Sequence, residues 1–184
     1  PDIQKIYEKT DLTKMEFRDL KKNMGLNRFY MQHPAITFEG ELIFQSSSPL
    51  VKIDFNSKIV WVNDEDQFTH SINLDLDENI YVPSYICPWS EKISSIIDTR
   101  KEGCYEYFND AINILNPEGK IIFSKSVSEI LIEHGLIHRI FSGFKYDPIH
   151  LNDIQPVLKD GPYFKKGDLF LSLRNLSMVI LYRP

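Results

Sequence analysis

From His33 onward, short runs of apolar residues alternate with clusters of Asn, Asp, Gly, Ser and Pro. The runs are rich in β-branched and aromatic residues, which is typical of strands. Turn-forming residues between such runs are the signature of hairpins rather than of βαβ units. The pattern therefore predicts a body made mostly of antiparallel β-sheet.

The strand-like runs recur in the same order three times, each time after a histidine, at His33, His70 and His150. The first two copies each offer four runs, one near the histidine and three after it, whereas the third copy lacks its closing run. Four-stranded sheets repeated radially are the blades of β-propellers, which close with roughly four to eight blades. We therefore predict an all-β fold, a partial β-propeller with two full four-stranded blades and part of a third, over residues 29–184. The later runs are 41–44, 50–54, 58–61, 79–82, 111–115, 120–123, 168–171 and 178–182.

Two segments depart from the β pattern. Residues 1–28 carry apolar residues at loosely helical spacing and predict an N-terminal helical arm. Further on, Ser126 is followed three positions later by Glu129, and the apolar run after it ends at Gly135. An N-cap serine, an acidic residue at this spacing and a terminal glycine predict one short helix inserted between the second and third copies.

Charge limits the expected ligands. The 21 basic and 26 acidic residues give a net charge of −5, which provides no general field for nucleic acid or anionic membranes. No apolar run is long enough to span a bilayer, and the first residues resemble neither a signal peptide nor a membrane anchor. We therefore expect a small-molecule ligand, no nucleic acid, and no membrane contact by this segment. The oligomeric state is left open.

Neither a metal nor a cofactor is expected. Asp75, Asp77 and Glu78 resemble half a calcium loop but lack the glycine and terminal glutamate of an EF-hand, so a hairpin turn is favoured. Cys87 and Cys104 lie 17 residues apart in one irregular insertion, where either a disulfide or two free thiols would fit.

The three repeat histidines are expected at the start of the innermost strand of each blade, and hence around one channel. A structural role is favoured for His33, which precedes a proline, and a functional role for His70 and His150. His150 shares its copy with Arg174, whose planar guanidinium suits two oxygens of a sulfate or phosphate. The alternative, that Arg174 only pairs with a carboxylate such as Asp153, is equally open on these grounds.

Several motifs resemble those of the arylsulfate sulfotransferase (ASST) propeller family. They occur in the order that the family has, over roughly residues 33–184, and the segment from His150-Leu-Asn-Asp to Ser-Leu-Arg174 is the most specific. The resemblance implies transfer of a sulfuryl group from a phenolic sulfate ester to a phenol through a sulfated histidine, in a ping-pong reaction. The matching motifs are 68–72, 77–82, 150–154 and 167–174.

By this resemblance, His70, His150 and Arg174 form the catalytic group that binds sulfate and stabilises its charge, and Asn152 and Asn175 contact the substrate. The family's nucleophilic histidine lies in the next blade, so this chain is expected to be a fragment that ends before it and is inactive alone. A periplasmic or extracytoplasmic location is the family expectation. Asn175 stands where many relatives have histidine, which marks the chain as a divergent member.

A non-catalytic β-propeller that binds or scaffolds other molecules is the alternative function. Propellers serve many functions, and the fold alone does not select among them. The sequence leaves open the donor, the acceptor and the number of blades in the full-length protein.

Overall fold

Three antiparallel sheets make up most of the fold. The first contains β1 (Gln32–Ile36), β2 (Leu42–Gln45), β3 (Leu50–Ile53) and β4 (Ile59–Asn63). The second contains β5 (Gln67–Phe68), β6 (Asn73–Leu74), β7 (Ile80–Tyr85), β8 (Asp110–Leu115) and β9 (Ile121–Ser126). The third contains β10 (Leu151–Pro156), β11 (Leu169–Leu173) and β12 (Met178–Tyr182). This computed structural model describes residues 2–11, 13, 29, 31–46, 48–87, 89–96, 107–142, 144 and 146–184.

Each sheet corresponds to one predicted copy, and neighbouring strands follow chain order. The second sheet has five strands rather than the predicted four, because its first strand is divided around His70 into β5 and β6, which both pair with β7. The prediction of a mostly β chain with antiparallel pairing is therefore confirmed.

Four of the hairpins are closed by the same five-residue turn. In each turn the first residue's side-chain oxygen accepts a hydrogen bond from the fifth residue's N–H, and its own N–H donates to the fifth residue's carbonyl. The fourth residue always has a positive φ, between 59° and 80°. Asp75 opens one of these turns, as the sequence predicted for the acidic cluster. The turns are 37–41, 54–58, 75–79 and 116–120.

Among the described residues, three helices lie between β7 and β10, two of them between the second and third sheets, where the sequence predicted one. The predicted helix is α3 (Val127–Glu133), whose N-cap Ser126 accepts from the Glu129 N–H at 3.2 Å. The other two are α2 (Glu91–Ser94) and α4 (Ile137–Ser142). The prediction of a single inserted helix is wrong, because these two are too short to show helical periodicity in the sequence and form by burying single isoleucines in the core.

The sheets pack on one another in chain order. One cluster of buried side chains joins the first and second sheets, and the largest joins the second sheet, the inserted helices and the third sheet. A third cluster packs α1 (Ile3–Glu8) against β2 and β3. Most of the predicted arm beyond residue 11 lies outside the described residues. Among the described helices, none is both long and apolar enough to cross a bilayer.

The first sheet also contacts the hairpin turn between β8 and β9 of the second sheet. Trp61 Nε1 donates to the Pro117 carbonyl at 3.1 Å, and Asn63 Nδ2 donates to the Gly119 carbonyl at 2.7 Å. Gly119 has a φ of 80°, and a Cβ at this position would lie 2.7 Å from Trp61 Cδ2. The backbone conformation therefore favours glycine here, and the indole packed on it leaves no room for a Cβ.

We expect Gly119→Ala to lower the free energy of unfolding by about 2–5 kcal/mol, since an L-residue with positive φ costs about 1–2 kcal/mol and overpacking about 1–3 kcal/mol. Gly40→Ala is the matched control, because Gly40 has the same φ of 80° in the equivalent turn, but a Cβ there would have no neighbour within 4 Å. Urea unfolding of both variants measures the difference. Equal losses would show that the Trp61 contact does not constrain this turn.

Candidate functional site

The three repeat histidines share one unusual backbone conformation. His33, His70 and His150 have φ values of 41°, 57° and 57°. Each lies at an irregularity: a register shift in β1, the gap between β5 and β6, and the residue before β10. A positive φ costs a non-glycine residue about 1–2 kcal/mol, so it persists only where surrounding contacts hold it.

The structure brings three of the predicted site residues together. The Nε2 atoms of His70 and His150 lie 3.0 Å apart, with the rings edge to face. Arg174 Nη1 lies 3.1 Å from the same His150 Nε2. Asp153 accepts instead from Asn73 Nδ2 at 2.7 Å, and no ion pair between Arg174 and Asp153 is formed. The alternative in which Arg174 only pairs with Asp153 is thus not realised.

Neighbouring sheets hold the histidine backbones in place. Gln45 Nε2, from the end of β2, donates to the His70 carbonyl at 2.9 Å. The Asp110 carboxylate, at the start of β8, accepts from the N–H groups of His150 and Leu151 at 3.1 and 3.0 Å. The backbone N–H of Arg174 also donates to the His150 carbonyl, at 3.0 Å. His70 is therefore positioned by the first sheet, and His150 by the second and third.

The hydrogen bonds assign a tautomer to each ring. The Asp147 carboxylate contacts His150 Nδ1, so that nitrogen donates. A guanidinium can only donate, so His150 Nε2 accepts from Arg174. His70 Nε2 must then be the donor in the contact between the two histidines. His70 Nδ1 accepts from the Thr69 hydroxyl, 2.5 Å away, which is consistent with that assignment.

Burial controls the charge at this site. Desolvation, together with the nearby His150 imidazole and Arg174 guanidinium, lowers the pKa of His70 from 6.5 to about 4. His70 is therefore neutral near pH 7. Behind His150, burial raises the pKa of the Asp110 carboxyl from 3.8 to about 7, although the Leu151 N–H opposes that rise.

Two cavities adjoin the pair of histidines. The larger, of about 530 Å³, is lined by His33, His70, Asn152 and Asp153, among others. The smaller, of about 350 Å³, is lined by Phe144, Tyr146, Asp147, His150, Arg174 and Asn175. The two asparagines predicted to contact the substrate thus lie in different cavities.

His33 and Asn175 have contacts that the sequence did not predict. His33 was favoured as structural through a hydrogen bond to a neighbouring carbonyl, but among the described residues its ring has no hydrogen-bond partner, and it lines the same cavity as His70. Asn175 Nδ2 donates to the Asp147 carbonyl at 2.5 Å. Asn175 therefore also fastens the loop that carries His150.

Sequence reasoning missed Asp147, Asp110, Thr69 and Gln45. Asp147 stands three residues before His150, a spacing that lets its carboxylate reach the ring's Nδ1. Thr69 is the direct neighbour of His70. Asp110 and Gln45 carried no usable signal, because their partners lie 40 and 25 residues away in the chain.

No group of metal-ligating side chains that could hold an ion is found in the described part of the chain. Cys87 is disulfide-bonded. Cys104, the other cysteine considered in the sequence, lies outside the described residues.

The fold and this cluster define a mostly β protein with a histidine and arginine site suited to an oxyanion. A family model described as Arylsulfotransferase (ASST) matches residues 33–184, so the chain belongs to the arylsulfotransferase family. The resemblance drawn from the sequence motifs is confirmed over the same residues. No curated protein and no solved structure gives a match.

We expect the buried neutral His70 to make folding pH-dependent. The unfolded chain binds a proton at this residue as the pH falls through 6.5, whereas the folded chain does so only near its pKa of about 4. Stability is therefore lost as the pH falls through that window. Denaturant unfolding should show a steeper loss for the wild type than for His70→Gln. His138→Gln, which removes an exposed imidazole of α4, is the control, and parallel curves for wild type and His70→Gln would contradict the burial argument.

Proposed function

We propose that the chain is part of an enzyme that transfers a sulfuryl group from a phenolic sulfate ester to a phenol. The observation that carries the proposal is the convergence of His70 Nε2, His150 Nε2 and Arg174 Nη1, through contacts of 3.0 and 3.1 Å, in a chain of the arylsulfotransferase family. Together they offer nitrogen groups at one point to the oxygens of a sulfuryl group.

The chemistry of these groups suits a sulfate ester. The Arg174 side chain is exposed, so its guanidinium can reach an incoming anion and bind two of its oxygens. The half-buried imidazoles lie behind it, in surroundings of lower dielectric where hydrogen bonds to developing charge are stronger than in water. The net charge of −5 gives no general attraction for anions, so capture depends on this local cluster.

The transfer itself takes two steps. A histidine nitrogen attacks the sulfur, the S–O bond to the aryl group breaks, and the phenolate leaves and takes a proton. The acceptor phenol then loses its proton and attacks the same sulfur, and the N–S bond breaks. We assign charge stabilisation to His70, His150 and Arg174, and place the nucleophilic histidine in the blade after the arginine strand, as the family motifs imply.

The aryl groups and the substrate-binding asparagines occupy the two cavities in this proposal. Phe144 and Tyr146 supply aromatic surface beside Arg174 in the smaller cavity, where Asn175 also lies. Asn152 lies in the larger cavity with His33 and His70. Offset or edge contacts with such rings favour an aromatic ligand over an aliphatic one.

We further propose that the three sheets are consecutive blades of a propeller. They support this by following chain order, packing on their sequence neighbours and beginning at equivalent histidines. We also propose an extracytoplasmic location. The disulfide at Cys87 supports it, because disulfides persist in oxidising compartments.

Sulfate binding tests the anion site directly. We expect inorganic sulfate to bind the chain, and Arg174→Ala to weaken binding about 10- to 100-fold, the scale of a charged hydrogen bond. Arg174→Lys should recover only part of the loss, because an ammonium lacks the planar fork. Arg139→Ala, in α4, controls for removal of an arginine. Calorimetric titration measures all four, and unchanged affinity in Arg174→Ala would remove the arginine from the site.

Sulfuryl transfer from 4-nitrophenyl sulfate to phenol separates the enzyme from the alternative, a non-catalytic binding module. We expect no transfer by the 184-residue chain alone. In a longer gene product that includes the next blade, we expect transfer, which His150→Ala or Arg174→Ala reduces by about two to three powers of ten. Transfer by the short chain would place the nucleophile among its own histidines. No transfer by the longer product, together with sulfate binding, would favour the binding module.

A further inference from the structure

In the cluster of His70, His150 and Arg174, one nitrogen accepts a hydrogen bond where an anion would need a donor. His150 Nε2 lies 3.0 Å from His70 Nε2 and 3.1 Å from Arg174 Nη1. Arginine has no acceptor, so His150 Nε2 accepts and carries a lone pair in this arrangement. The oxygens of a sulfate are also acceptors. A lone pair directed at these oxygens repels them, so His150 Nε2 must gain a proton before it can donate a hydrogen bond to the anion.

We propose that binding of a tetrahedral oxyanion at this cluster takes up one proton from the solvent, that His150 Nε2 receives it, and that Asp147 stabilises the resulting imidazolium. The inference rests on the proposed role of the cluster as the sulfuryl site. One N–H bond forms at Nε2, the N–H at Nδ1 stays directed at Asp147, and no covalent bond to the anion forms.

Asp147 is placed to stabilise this charge. Its carboxylate contacts His150 Nδ1, and its backbone carbonyl is held by Asn175 Nδ2 at 2.5 Å. The side chain of Asp147 is 23% exposed and that of His150 15%, so solvent screens their attraction only in part. A negative group on one nitrogen and an anion on the other would hold the imidazolium between them.

The other charges around His150 come from all the elements packed against it. Asp110, from β8, accepts from its backbone N–H, and Arg174, from the short helix after β11, approaches Nε2. His70 contacts the His150 ring, and His33 lines the larger cavity together with His70. Two carboxyl groups, those of Asp147 and Asp110, therefore face one guanidinium and two imidazoles. An incoming dianion adds to the negative side and favours protonation.

His150 rather than His70 receives the proton. The Thr69 hydroxyl donates to His70 Nδ1, so a proton on that nitrogen would require the hydroxyl to rotate and accept instead. Burial also lowers the pKa of His70 to about 4, and no carboxylate contacts its ring among the described residues. Asp147 lies on the His150 side of the pair. His70 can therefore keep its neutral form and donate its Nε2–H to the anion.

The test is calorimetric titration of the full 184-residue chain with sodium sulfate, in two amine buffers of different ionisation enthalpy at the same pH. Proton uptake makes the apparent binding enthalpy depend on the buffer. We expect the apparent binding enthalpy to differ between the two buffers in proportion to the protons taken up, and sulfate affinity to fall as the pH of the titration is raised. Sodium chloride at equal ionic strength controls for screening.

Three variants assign the proton. His150→Gln keeps an N–H donor but cannot gain a proton, so its sulfate binding should show no buffer dependence. His70→Gln should retain the uptake. Asp147→Asn still accepts from Nδ1 but lacks the charge, so sulfate affinity should fall about tenfold or more. Asp77→Asn, the same change at an exposed turn residue, should behave as wild type. The thermal unfolding of each variant shows whether it is folded.

The outcomes separate this inference from the proposed function. Sulfate binding by the unaltered chain with no buffer dependence would overturn the proton uptake and leave the anion site standing. Loss of uptake in His70→Gln, with retention in His150→Gln, would overturn the assignment to His150. No sulfate binding at any pH would overturn the anion site and the proton uptake together. The first and third outcomes are measured on the unaltered chain alone, so they stay decisive even if a variant fails to fold.

Discussion

Hydrogen bonds between sheets hold His70 and His150 in a backbone conformation that they would not adopt alone. The Asp110 carboxylate binds the N–H groups of His150 and Leu151, and Gln45 binds the His70 carbonyl. Each bond crosses from one sheet to the next, so the site exists only when the sheets are packed. The cost of a positive φ at His70 and at His150, about 1–2 kcal/mol each, is offset by these contacts.

The same constraint links the stability of the fold to the chemistry of the site. Asp110, buried behind the cluster, and His70, a half-buried member of it, have pKa values moved in the directions that burial dictates: up for Asp110 and down for His70. Both shifts disfavour the charged forms. Positive charge is therefore concentrated on Arg174 at the surface, where an anion first arrives, and the histidines respond to the anion rather than attracting it from a distance.

Repetition explains how one chain can build such a cluster. His33, His70 and His150 share a positive φ at equivalent repeat positions, so each sheet carries an imidazole at the same point of its sequence pattern. The contacts of the imidazole differ among the three copies. His150 has Asp147 and Arg174, His70 has Thr69, and His33 has no hydrogen-bond partner among the described residues. Equivalent backbone positions thus carry different protonation chemistry, set by one or two neighbours each.

The sequence by itself determined the β pattern, the three copies, the Ser126 helix cap and the family, because these depend on periodicity, turn residues and local motifs. It also identified His70, His150 and Arg174, since repeat position and motif single them out. Only the tertiary structure decided that Arg174 meets His150 rather than Asp153, and that Asp147, Asp110 and Gln45 support the cluster. Those contacts depend on how separate sheets pack, and the pKa values depend on the burial that packing creates. Neither leaves a periodic signal in the chain.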